Sequence, residues 1–230
     1  MVSGKAQGTK ADSGFVHSLL TTHALGQFNV QTGPIQEIFV FPLNTVLFPD
    51  GLLPLKVFEQ RYIEMTKECL RNGRPFGVCL IREGHEVGNA AVPESVGCLA
   101  HIVHWEMPQL GVFQLLARGG DRFRIREMQV QPNQLIAAST EALPSDTGRE
   151  QVDPTCGGLL RAIIEKAGAE RFPAPLRLED AAWVGFRLAE VLPMQATDRQ
   201  QLLELTDAQE RLAHVKRILV QQGLAPSGSV

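Results

Sequence analysis

Six histidines, four cysteines and six lysines hold most of the chemical potential of this 230-residue chain, yet their spacing builds few recognisable sites. His101 and His104 form the one close histidine pair. Three residues apart on a strand, they point to opposite faces and cannot both reach one metal without a bulge, so no metal site is expected. Cys69, Cys79, Cys98 and Cys156 fall singly, with no CxxC pair, on segments that read as helix or strand interiors. Buried free thiols follow, because an unpaired cysteine behaves as a small hydrophobe. The lysines carry no recognisable Ser-Lys nucleophile motif. The chain also lacks a GxxxxGKS/T phosphate loop, a GxSxG elbow, an HExxH helix and a nucleotide-binding GxGxxG. No catalytic residue and no cofactor are therefore expected. Two weaker constellations remain. Arg122, Arg124 and Arg126 alternate with Phe123 and Ile125, which makes either a solvated strand face or a row of anion or RNA contacts. Glu59, Arg61, Tyr62 and His104 could meet in a small-molecule pocket, though nothing in their spacing requires it.

The elements that would position these groups change character midway. With 44% hydrophobic residues and a formal net charge of −3, the chain can bury one large core or two small ones. No apolar run approaches the roughly 20 residues that span a bilayer, and no signal-peptide core opens the chain, so a soluble, cytoplasmic protein without a membrane role is expected. The negative balance argues against nucleic acid, whose binders concentrate positive charge. Residues 1–34, rich in Gly, Ser, Thr and Gln, read as a mobile leader.

Residues 35–143 read mostly as strands, at 35–41, 52–57, 76–81, 97–107, 112–117, 122–130 and 135–141, with one helix over 59–72. Phe58, Tyr62, Met65, Thr66 and Cys69 would form that helix's buried face. Turn signals separate the strands, among them Gly119-Gly120-Asp121. Hairpin-linked strands predict a mostly antiparallel sheet that closes on itself. After a linker over 144–152, the period lengthens to about 3.6 and residues 153–222 read as a small helical bundle, with a tail over 223–230. Asp153-Pro154 marks one helix start, and Thr197 with Gln200 and Thr206 with Gln209 have capping-box spacing. The fold class is thus α+β, a β pseudo-barrel followed by a C-terminal bundle.

The stretch FPLNTVLFPDGLLPLKVFEQRY over 41–62 sets three prolines among apolar residues and can be neither one strand nor one helix. Its order of strand, FPL bend, VLFPD turn, PL strand and helix resembles the N-terminal, substrate-binding domain of Lon proteases. VGCLAHIV over 96–103, GVFQLLARGGDRFRI over 111–125 and LLELTDAQERLAHVKRIL over 202–219 are similar to later motifs of that domain, so the resemblance covers roughly residues 36–221. It implies a PUA-like architecture and a non-catalytic protein- or peptide-binding module involved in proteolysis, here without the ATPase and Ser-Lys protease modules. The implied partners are unfolded polypeptides or exposed apolar segments, with a separate ATP-dependent protease as a further partner.

A binder of apolar peptide needs apolar side chains that its own core does not consume. Turns carrying large apolar residues offer two candidates: Phe48 and Leu52 around the first turn, and Trp105, Met107 and Leu110 at a hairpin tip. Alternatively, these side chains fold back to cap the barrel. The competing functions are an RNA-binding PUA-like domain, using Arg122, Arg124 and Arg126, and an enzyme with a pocket between barrel and bundle.

Overall fold

The computed structural model describes residues 37–146 and 151–223. The expected leader, part of the linker and most of the tail lie outside them. Among the described residues there are six strands: β1 (Glu37–Leu43), β2 (Leu52–Val57), β3 (Phe76–Glu83), β4 (Val92–Gln109), β5 (Val112–Val130) and β6 (Ile136–Ala142). One helix, α1 (Gln60–Asn72), interrupts them, and α2 (Pro154–Ala167), α3 (Ala181–Val191), α4 (Ala196–Glu204) and α5 (Ala208–Gln221) follow. The sheet order is β2-β5-β4-β3-β1-β6, and β5 pairs again with β6 to close the ring. All pairings are antiparallel except β1 with β3.

Closure gives each strand two faces to bury. Ile38, Val40, Cys79, Leu99, Phe123, Ile136 and Ala138, contributed by all five strands of the ring, meet in one small apolar cluster. Side chains from every strand converge this way only on the inside. The alternate positions, including Phe41, Leu43, Val96, Cys98 and Ala100, belong to a larger core shared with α1 and with Trp183, Leu188, Leu212 and Leu219 of the bundle. Strands covered on both faces read as continuous apolar runs, as these do.

The expected turn at Gly119-Gly120-Asp121 does not exist; β5 runs through it as one long strand. The glycines serve close packing instead. A Cβ at Gly119 would stand 2.0 Å from the Phe48 carbonyl oxygen. That approach lets Asp50 N–H donate to the Gly119 carbonyl and Gly119 N–H donate to the Gly51 carbonyl, both at 2.8 Å. The first turn is thereby locked against β5, with Asp50 held in the left-handed region at φ 63°.

Polar groups seal the seam between barrel and helices. Arg122 lies on the covered face of β5 and is buried, not solvated as the strand alternation suggested. It donates to the Leu203 and Pro144 carbonyls, each at 2.9 Å, and faces Asp146 at 3.7 Å. Arg211, also buried, pairs with the same carboxylate at 3.0 Å and lies 4.0 Å from the Phe186 ring. Removing one partner from such a buried pair typically costs about 3–5 kcal/mol. Arg187, fully buried on α3, donates to the Pro49 carbonyl at 2.6 Å and to Glu190 at 3.1 Å. Burial pushes the Glu190 carboxyl up to about 7, against the opposing pull of Arg187 and Arg199.

Helix starts follow local chemistry. Asp153 caps α2 by accepting from Thr155 and Cys156 N–H, with Pro154 at the first position. The two expected capping boxes do not form. Gln195 precedes α4 without a side-chain cap, and Gln200 donates instead to the Val96 carbonyl at 3.1 Å, tying α4 to β4. At α5 the cap is Asp207, one residue beyond Thr206, accepting from Glu210 N–H at 2.8 Å.

Two outcomes are expected. Gly119→Ala should destabilise the fold by about 3 kcal/mol, read from urea unfolding, because the atoms in the way are the Phe48 backbone, which is tied to β5 and cannot step aside cheaply. Folding raises the Glu190 pKa, so protonation favours the folded state. Its contribution is full below about pH 4.5, its ordinary value, and fades as pH rises towards 7. The stability of wild type relative to Glu190→Gln should therefore fall across that window, measured as the difference in unfolding midpoints from pH 4.5 to 8.

Candidate functional site

Beyond Ala100, which pairs with Phe76, β4 has no β3 neighbour and continues with β5 alone on one side. The two strands extend as an arm, turning at Leu110 and Gly111, where Gly111 takes φ 81°. Trp105 pairs with Leu115 and so shares its face, and its ring lies 5.7 Å from that of Phe113. Phe113 and Leu115 are core, whereas Trp105 is 49% exposed, Met107 39% and Leu110 97%. An apolar sheet face that begins inside the protein thus runs out into solvent. Register bulges after Ile102 and Glu106 add twist along the arm.

On the far side of β5, β2 pairs Leu55 with Leu115 and Val57 with Phe113. The next residue, Phe58, is 54% exposed. Helical spacing placed it on the buried face of α1, but the helix begins only at Gln60 and Phe58 precedes it. The arm's end therefore carries an apolar residue that sequence reasoning missed. The available signal was the break in alternation after Val57, just ahead of the helix start.

The first-turn candidates lie elsewhere. Phe48 has no exposed surface and packs on Phe186 with ring centroids 5.6 Å apart, so it caps the barrel and offers nothing to a partner. Burying such a ring contributes about 1.5–3 kcal/mol. Leu52 is half-buried opposite Arg118, five residues along β2 from the Val57–Phe113 pair, or about 17 Å. The two turns do not make one site.

The arginines are not a row either. Arg122 is buried, Arg124 is half-buried, and exposed Arg126 pairs with Glu141. Among the described residues, no group of three or more His, Cys, Asp or Glu gathers as a metal site. Burial holds His101 below its usual range, partly offset by Asp121. Burial likewise pushes the thiols up, Cys69 to about 11 and Cys156 to about 12, so neither is a nucleophile at neutral pH.

Glu59, Arg61 and Tyr62 do come together, with Arg61 3.0 Å from Glu59 and 4.5 Å from the Tyr62 ring. Tyr62 stacks on Phe41, Arg61 donates to the Gln134 carbonyl at 3.0 Å, and burial lifts the phenol to about 12. His104 sits on the arm opposite Leu116 instead. Between barrel and bundle lies a cleft of about 170 Å³, lined by Asp50, Asp121, Arg122, Asp146, Arg177 and Trp183 among others. It is smaller than the roughly 300 Å³ usual for ligand pockets, and much of its charge is paired internally, Arg177 and Arg118 with Asp50 and Arg122 with Asp146. Among the described residues no helix is long and apolar enough to cross a membrane.

Residues 37–221 match the family model described as the ATP-dependent protease La (LON) substrate-binding domain. The chain is 29% identical over 195 residues to Lon protease 2 of Myxococcus xanthus, covering 80% of this chain and 23% of that protein. It is 28% identical over 194 residues to the Lon protease of Desulfovibrio desulfuricans, covering 78% and 21%. The chain thus spans about a quarter of the length of the curated relatives it matches. The crystal structure of a Lon N-terminal domain protein from Xanthomonas campestris aligns with a TM-score of 0.65 and 34% identity, covering 81% of this chain and 98% of that one. The N-terminal domain of the Mycobacterium avium complex Lon protease shares the fold, with a TM-score of 0.59 at 17% identity over 79% and 97%. The match begins at the first residue of β1 and ends at the last of α5: this chain belongs to the Lon substrate-binding domain family.

Proposed function

We propose that this domain captures exposed apolar segments of unfolded polypeptides on the β4–β5 arm, without chemistry of its own, and presents them for ATP-dependent proteolysis in the cytoplasm. The observation that carries this reading is the apolar face of the arm. Trp105, Met107 and Leu110 stay accessible although the sheet behind them is core, and Phe58 adds apolar surface at the same end of β2. Met107 suits a permissive surface because an unbranched thioether adapts to many shapes. Trp105 supplies a large rigid contact at low entropic cost, as binding anchors do.

The non-catalytic part of the reading is supported by buried thiols, by internally paired charges around the cleft and by the small size of that cleft. RNA binding is the weaker reading, because the arginine strand that motivated it spends Arg122 on the bundle and Arg126 on Glu141.

Purified protein titrated with a permanently unfolded, fluorescently labelled polypeptide should bind it. Trp105→Ala and Met107→Ala should each weaken binding roughly tenfold, the loss of one anchor contact, while unfolding midpoints stay near wild type. Equal affinity for wild type and both variants would remove the arm from the site.

A further inference from the structure

Resting on that reading, we propose how the arm holds its client: the outer edge of β4, residues 102–107, accepts an extended, uncharged apolar segment as an added β-strand. Past Ala100 this edge has lost β3, and β5 occupies only the other side. Among the described residues no other backbone group bonds to the backbone of residues 102–109, so a row of N–H and C=O groups faces outward. Such an edge is a template for another chain, and proteins ordinarily blunt it with lysines, inward charges, bulges or cover. Residues 99–117 hold no lysine, and between the bulges after Ile102 and Glu106 the run His104, Trp105 and Glu106 keeps a regular ladder with β5.

The charge distribution says what fits. Residues 99–117, in a protein with 20% charged side chains, carry a single one, Glu106. An uncharged segment complements that surface, whereas a charged strand would be desolvated against it without a partner. Length sets the footprint: six residues of edge span about 20 Å, and Pro108, which lacks a donor, interrupts the ladder just before the turn. Side-chain direction sets the preference. Trp105 and Met107 are two residues apart and share one face, so an added strand meets them with alternate residues. The backbone ladder then supplies affinity for any sequence, and the Trp105–Met107 face selects period-two apolar clients over helical ones.

The test separates strand addition from mere apolar contact. The probe is a blocked octapeptide of alternating valine and threonine, used with two derivatives N-methylated at every valine or at every threonine. Each derivative removes one edge's N–H groups while keeping the apolar side chains. Calorimetric titration of the intact protein should show the parent peptide binding. One derivative should bind roughly tenfold or more weakly and the other close to the parent, because only one row of donors faces β4. Equal binding by all three peptides, loss with both derivatives, or no binding of the parent would each overturn the proposal. If the parent fails while an unfolded polypeptide still binds in a Trp105-dependent way, strand addition falls and the capture reading stands. If neither binds, both fall.

Discussion

A sheet closed into a ring needs cover on two sides, and most of this structure answers that need. The inner side is filled by one small cluster to which every strand of the ring contributes. The outer side is apolar too, and only the docking of α1 and the C-terminal helices keeps it from water. The seam between ring and bundle is therefore built from groups that tolerate no gap. Phe48 packs on Phe186, Arg122 and Arg211 share Asp146 beneath backbone carbonyls, and Arg187 reaches the Pro49 carbonyl. Each guanidinium is buried and held there by carbonyls and carboxylates, with Nε and Nη1 of Arg187 left without a hydrogen-bond partner among the described residues.

Where that cover stops, the same physics leaves the candidate site. β4 and β5 outrun β3, and the face carrying Phe113 and Leu115 inside carries Trp105 and Met107 outside. The arm is thus a continuation of the core, not a loop added to it. Its apolar character comes from the strand pattern, and its exposure comes from the length mismatch between neighbouring strands. A rigid sheet presenting adaptable side chains suits partners that share no sequence.

Much of the architecture is legible in the sequence because it is local. Alternation marked the strands, Asp153-Pro154 marked a helix start, and the proline-rich bend with its following motifs pointed to the Lon domain, a resemblance that the family match bears out. The errors share a cause. Gly119-Gly120 looks like a turn because glycine permits one, but glycine equally permits backbone contact, and the deciding neighbour, the Phe48 carbonyl, comes from 71 residues earlier in the chain. Arg122 looks solvated by alternation because a strand cannot announce that helices cover its outer face. Thr197 and Thr206 have the right spacing to cap, yet Asp207 caps α5 instead, and α4 starts at Ala196 with Gln200 drawn to the distant Val96 carbonyl.

By itself, then, the amino-acid order determined the element types, the closed α+β arrangement and the family, since periodicity, prolines and caps act over a few residues at a time. Only the folded molecule decided which apolar turn is surface and which is core. Phe48 and Trp105 sit in equally suggestive contexts, but one meets Phe186 of a distant helix and the other meets solvent. That difference arises from burial, which depends on what every other segment covers and so has no local signature.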